Sequence, residues 1–200
     1  MHDTYRTIAA PSEGLYKEKG SKFIALAFPV TSEEEIKEIY ADLKKKYYDA
    51  RHHCYAYTLG ADKSRYRAND DGEPNHSAGD PILGQIRSAD LSNVLVVVVR
   101  YFGGTKLGVS GLITAYKTAT AEALANATVV EKHETALLEV YFEYPQMNDV
   151  MSLVKEYGLD VREQQFELDC RLTLEVRRML QEEVTARLGD ITGVTVSVKE

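Results

Sequence analysis

The chain has 200 residues, 44% hydrophobic and 28% charged, with a formal net charge of −7. That length holds one large domain or two small ones, and the composition is that of a globular protein, which excludes extensive disorder. Two distant cysteines, Cys54 and Cys170, exclude a disulfide scaffold, and the apolar run Val94–Val99 is too short to span a bilayer, so a reducing cytoplasm without membrane contact is expected.

The opening MHDTYRTIAAPSEG has neither a basic nor an apolar leader region, and no secretory signal is expected. From residue 16 onward the first predicted element is a strand around Lys22–Val30. A helix follows over Thr31–Tyr47, where Ser32 and Glu35 have capping-box spacing and Ile36, Ile39, Tyr40 and Leu43 form one apolar face. Residues 51–59 (RHHCYAYTL) read as a strand and 65–80 as a loop rich in turn formers. A helix over Pro81–Ala89 precedes the strand 94–100, whose β-branched run predicts burial on both faces. Gly103, Gly104 and Gly108 then lead into a long helix over Val109–Ala127, with Leu112, Ala115, Tyr116, Ala119, Ala123 and Leu124 as its apolar stripe.

Past residue 132 the organisation changes, with 130–135 (VEKHET) as the expected link. Strand 136–144, helix Gln146–Tyr157 stopped by Gly158, a hairpin of 160–167 and 169–177, helix Arg178–Leu188 and strand Gly193–Lys199 give the order β-α-β-β-α-β of a ferredoxin-like unit. The chain is therefore predicted to be α+β with two domains, 1–132 and 133–200. The first carries 17 Lys/Arg and 17 Asp/Glu; the second carries 7 and 14, hence the whole net charge. A basic face on the first domain is compatible with phosphate contacts, whereas the acidic second domain suits a protein partner.

Four groups of residues carry candidate chemistry. Arg100, Gly103, Gly104, Lys106 and Gly108 sit at a strand–glycine loop–helix junction, where backbone N–H groups and cations can hold an anion. The G-x-x-x-x-G spacing lacks the Lys of a phosphate loop, since Val109 follows Gly108, so a nucleoside triphosphatase is not expected. A tight structural turn with Arg100 paired to an acid is the other reading of this junction. Lys63, Arg65 and Arg67 alternate with Tyr66 nearby, and Arg51, Tyr55 and Tyr57 precede them, a basic–aromatic set suited to RNA; a solvated hairpin rim is the other reading. Asp70, Asp71, Glu73, His76 and Ser77 crowd a loop long enough to be functional, though Asp-Gly and Glu-Pro are also ordinary turn chemistry. His52, His53, Cys54, His76 and Asp71 do not have the spacing of a metal site, and Cys54 reads as an inert buried thiol, so no metal and no cofactor are expected.

The stretches Lys19-Gly-Ser-Lys-Phe-Ile-Ala25, Ala50-Arg-His-His-Cys-Tyr-Ala-Tyr57, Asp70-Asp-Gly-Glu-Pro74, Ser77-Ala-Gly79 with Pro81-Ile-Leu83, and Arg100-Tyr-Phe-Gly-Gly-Thr-Lys-Leu-Gly108 resemble, in order, the motifs of the Impact family of YigZ-like proteins. Val109-Ser110-Gly111 departs from the more usual Ala-Gly-Gly. The resemblance implies a first domain similar to domain 2 of ribosomal protein S5 and a second similar to the ferredoxin-like C-terminal domains of elongation factor G. It also implies a role in translation. In eukaryotic members this is control of initiation through a partner in an initiation-factor kinase pathway. A stand-alone two-domain chain looks bacterial, where that pathway is absent, so the partner does not carry over. The leading expectation is a non-enzymatic, translation-associated protein that binds RNA or the ribosome through residues 1–132, with Arg100, Lys106 and the glycine loop on phosphates and Arg51, Arg65 and Arg67 assisting. The acidic second domain is expected to contact protein. An enzyme for a small anionic substrate, with Asp71, Glu73 or His76 as acid–base groups, instead requires the 70–77 loop and Gly103–Gly108 to share one cleft. A protein-interaction module requires an exposed apolar patch.

Overall fold

The computed structural model of the chain describes residues 2–199. They form two compact units, Thr4–Lys132 and residues 2–3 with 133–199, each with its own apolar core. The fold is α+β.

The first unit contains β1 (Thr4–Ile8), β2 (Ser12–Glu18), β3 (Ser21–Pro29), α1 (Glu33–Lys46), β4 (His52–Leu59), β5 (Arg65–Asn69), α2 (Gly79–Ser88), β6 (Val94–Tyr101) and α3 (Gly108–Ala125), with β7 (Val129–His133) at its end. Five strands make one antiparallel sheet in the order β2-β3-β6-β4-β5, and β1 pairs with β7. The central strand β6 is covered on both faces. Val94, Val96 and Val98 pack with Phe23, Ala56 and the α2–α3 residues Ile82, Ile86, Leu112 and Tyr116. Leu95, Val97 and Val99 pack with Leu26, Leu59 and the α1 residues Ile36 and Leu43. An antiparallel sheet normally leaves one face to water; helices on both sides are why this strand shows no polar alternation.

Helix α1 starts as its sequence predicts. The Ser32 hydroxyl accepts the Glu35 N–H at 3.2 Å, and the Glu35 carboxylate accepts the Thr31 N–H at 2.9 Å, satisfying two N–H groups that the helix cannot. Elsewhere the structure differs. Strands β1 and β2 occupy a region where no element is expected, residues 65–69 of the expected loop are the edge strand β5, and residues 130–133 of the expected link belong to β7. Helix α2 begins at Gly79, two residues before Pro81, because the Asp70 carboxylate supplies its cap from outside: it accepts the N–H of Ala78 at 3.1 Å and of Gly79 at 2.8 Å.

The second unit runs β8 (Thr135–Phe142), α4 (Met147–Tyr157), β9 (Asp160–Phe166), β10 (Cys170–Arg177), α5 (Gln181–Gly189) and β11 (Thr195–Lys199). Its antiparallel sheet has the order β11-β8-β10-β9, the split β-α-β arrangement predicted from the element sequence. Leu138, Val140, Leu172 and Leu174 pack beneath Val150, Val154, Val184 and Leu188 of the two helices.

Asp3 joins this unit through one carboxylate, which accepts Arg177 Nη2 at 2.7 Å, Arg177 Nε at 3.2 Å and the Met179 N–H at 3.1 Å. The Arg177 fork outweighs burial and pulls Asp3 down from 3.8 to about 2. A carboxylate depressed in the folded state stabilises it above the unfolded value, and that contribution is lost as pH falls through the folded one. Urea titrations at stepped pH are therefore expected to show the natural chain losing more stability between about pH 4 and pH 2 than Asp3→Asn does. Parallel acid limbs would mean that the fork does not persist in solution.

Candidate functional site

Strand alternation decides what gathers at the end of β6. Phe23, Arg100 and His52 stand opposite one another on β3, β6 and β4, so they share the face covered by α2 and α3. Phe102, two residues beyond Arg100, continues that side. The loop between β5 and α2 brings Glu73 and Pro74 over the same end, and the start of α3 brings Lys106, Leu107, Gly108, Val109 and Leu112. With Arg51 they surround an open cleft of about 510 Å³. The carboxylate loop and the glycine loop thus meet in one place.

Glu73 is the anchor of the cleft floor. Its Oε1 accepts Arg100 Nη1 at 2.5 Å and the Tyr116 hydroxyl at 2.8 Å, and lies 3.8 Å from His52 Nε2. The Cys54 sulfur lies 3.3 Å from the Tyr116 oxygen and 3.1 Å from the Asp70 carbonyl oxygen, two acceptors within reach of its single proton. Burial pushes both the Cys54 thiol and the Tyr116 hydroxyl well up, so each stays protonated and neutral. Cys54 is therefore a structural donor, and a thiolate nucleophile is not available there. His52 Nδ1 lies 2.7 Å from the Asp71 carbonyl oxygen; a carbonyl only accepts, which places the proton on Nδ1 and turns Nε2 toward Glu73.

The rim is basic. Arg51 and Lys106 are exposed, and among the described residues neither has an acidic partner. The Arg51 guanidinium lies 5.4 Å and that of Arg100 5.6 Å from the centroid of the Phe102 ring, within cation–π reach. Arg100 is only 6% exposed, yet its buried Nε has no hydrogen-bond partner among the described residues. Helix α3 begins beside these groups with neither a side-chain cap nor an acid in its first turn, so its free N–H groups add partial positive charge.

The residues expected to act together divide in the structure. Arg51, Arg100, Lys106 and Gly108 line the cleft. Gly103 does not; it lets the loop press against the turn between β2 and β3, and its N–H donates to the Ser21 hydroxyl at 3.1 Å. Gly104 takes φ +91 in open space. Arg65 and Arg67 are exposed on the edge strand β5, opposite Leu59 and Tyr57, which places them on the α1 face of the sheet, away from the cleft. Of Asp70, Asp71, Glu73, His76 and Ser77, Glu73 alone lines the cleft. Asp70 caps α2, Asp71 accepts the His53 N–H at 2.7 Å, the Ser77 hydroxyl donates to the Pro74 carbonyl at 2.5 Å, and exposed His76 meets Asp80 at 2.5 Å. These bonds hold the loop in shape, and neither Asp71 nor His76 lines the cleft. Among the described residues no cluster of three or more His, Cys, Asp or Glu could hold a metal ion. No helix of the described chain is long and apolar enough to cross a membrane.

The Phe102 position was not singled out by motif reasoning, although alternation from Arg100 places the two on one side. The partnership of Glu73 with Arg100 has no local signature, because the residues are brought together only by the fold.

Comparison with known proteins places these residues in a family context. Residues 19–124 match the Impact N-terminal domain. The chain is 34% identical over 156 residues to the IMPACT family member YvyE of Bacillus subtilis, an alignment covering 78% of this chain and 72% of that protein. It is 30% identical over 186 residues to IMPACT family member YigZ of Escherichia coli, covering 92% and 91%. A crystal structure of a hypothetical protein superposes with a TM-score of 0.75 at 27% identity, covering 100% of this chain and 99% of the other.

Proposed function

The chain belongs to the Impact family, and from that premise we propose that it is a cytoplasmic, translation-associated protein that binds RNA, free or on the ribosome, through the cleft of its first unit. The observation that carries this reading is the convergence of Arg51, Lys106, the uncapped start of α3 and exposed Phe102 on one concave surface. Glu73 neutralises Arg100 at the floor, so the free positive charge lies on the rim, where a phosphate backbone can reach it. The acidic second unit is suited to a protein partner, since its charge disfavours phosphates.

A turnover reading draws on a specific observation too: Glu73 and His52 share the cleft with the start of α3. Yet Glu73 already accepts from Arg100 and Tyr116, and it spends its charge on the floor of the cleft. Binding accounts for more of the geometry than acid–base chemistry does.

Arg51 and Lys106 are exposed, so alanine at either position leaves the core intact, whereas Arg100→Ala would confound binding with folding. The expected result for Arg51→Ala and Lys106→Ala is an RNA affinity about tenfold weaker for each lost contact, with each log–log salt slope shallower by about 0.7. Fluorescence anisotropy with a single-stranded RNA between 50 and 200 mM salt, about the range over which such contacts are read, checks both. Affinity unmoved by either substitution would remove the cleft from RNA binding.

A further inference from the structure

We infer that the cleft receives a single unpaired nucleotide, its base laid against Phe102 and its phosphate held by Arg51, Lys106 and the N–H groups that open α3. This rests on the RNA-binding reading and narrows it to single strands, with one base removed from its stack.

The cleft offers two kinds of surface at once. One is apolar: Phe102 is 40% exposed and Val109 51% exposed, with Leu107 and Leu112 behind them. The other is cationic: among the described residues Arg51 and Lys106 have no acidic partner, and the nearly buried Arg100 has no hydrogen-bond partner at Nε. An inorganic anion makes no use of the apolar wall, and an apolar ligand leaves the cations unpaired. A base joined to a phosphate uses both.

Shape points the same way. At about 510 Å³ the cleft falls within the range of small-ligand sites, about 300–1,000 Å³. A duplex keeps its bases stacked inside a convex cylinder and cannot present one to Phe102, whereas single-stranded RNA can splay a base onto an aromatic ring. The guanidinium groups of Arg51 and Arg100 lie over the Phe102 ring, 5.4 and 5.6 Å from its centroid, so positive charge stands beside the aromatic surface, where the phosphate joined to a stacked base would lie.

The test uses the full chain, a single-stranded octanucleotide RNA, the same sequence as a blunt duplex, and a phosphotyrosine peptide. The single strand is expected to bind at least about tenfold more tightly than the duplex. Phe102→Ala is expected to weaken single-strand binding by about 5- to 100-fold with no loss of folded signal, and Phe102→Tyr to retain it. Lys106→Ala should weaken binding while preserving the preference for single strands. If Phe102→Ala binds like the natural chain, or the duplex binds equally well while Lys106→Ala still weakens both, the single-nucleotide reading falls and RNA binding stands. Failure of every RNA to bind removes both readings. Tighter binding of the phosphotyrosine peptide than of the RNA would overturn the nucleotide in favour of a protein ligand.

Discussion

Replacing Glu73 by alanine is expected to lower the unfolding free energy by about 3–5 kcal/mol, the characteristic loss when one member of a buried ion pair is removed. The side chains of Glu73 and Arg100 are 4% and 7% exposed, so a solitary guanidinium could not recover its hydration. Tyr116 would lose the acceptor of its 2.8 Å bond at the same time, leaving a second buried polar group unsatisfied. Glu73→Gln keeps an acceptor for both donors and should cost less. A shift of the urea midpoint at unchanged m-value measures the effect. A loss below about 1 kcal/mol would mean that water replaces the carboxylate, because that is the range of hydrated surface pairs.

Gly103→Ala is the second large effect, and it acts through backbone contact alone. A Cβ at this position would fall 2.0 Å from the Gly20 carbonyl carbon and 2.3 Å from the Ser21 nitrogen. Neither neighbour is a flexible side chain that could swing aside. Relief requires moving the turn between β2 and β3 away from the end of β6, and with it the loop that sets Lys106 and the start of α3. Overpacking ordinarily costs about 1–3 kcal/mol; with backbone on both sides the expectation is the upper end or beyond, together with weakened RNA binding. Chemical denaturation and anisotropy on the same preparation check both outcomes. Unchanged stability would show that the two loops are not in contact in solution.

How much of this was legible in the sequence depended on whether local pattern coincided with three-dimensional role. The burial of Val94–Val99 followed from an unbroken apolar, β-branched run and the stripe of Leu112, Ala115, Tyr116, Ala119 and Ala123 from helical periodicity, and both are seen in the core. Strand β2 gave no such signal because its pattern is inverted. Leu15 is 41% exposed, while the inward position is Gly14, where a Cβ would lie 2.4 Å from the Ala123 nitrogen of α3. Strand β5 was hidden for a different reason: Arg65, Tyr66 and Arg67 are all exposed, so nothing distinguishes this edge strand from a polar loop.

The site was legible to the same degree. Arg100, Lys106 and Gly108 are adjacent in the chain and remain together in the cleft. Arg65 and Arg67 are near Arg51 in sequence, but the register of β4 and β5 puts them on the α1 face of the sheet. In the acidic loop, composition could not separate the residue facing the cleft from those tying the loop down. Asp70 and Asp71 spend their carboxylates on backbone N–H groups, whereas Glu73 reaches Arg100, a residue distant in the chain.

The claim that RNA enters this cleft is tested most directly by titrating a single-stranded RNA into the isotopically labelled chain and following each backbone amide. The account predicts that the perturbed amides cluster at Arg51, Phe102, Lys106, Gly108 and Val109. Perturbation centred instead on Arg65 and Arg67 of β5, or on the second unit, would contradict it.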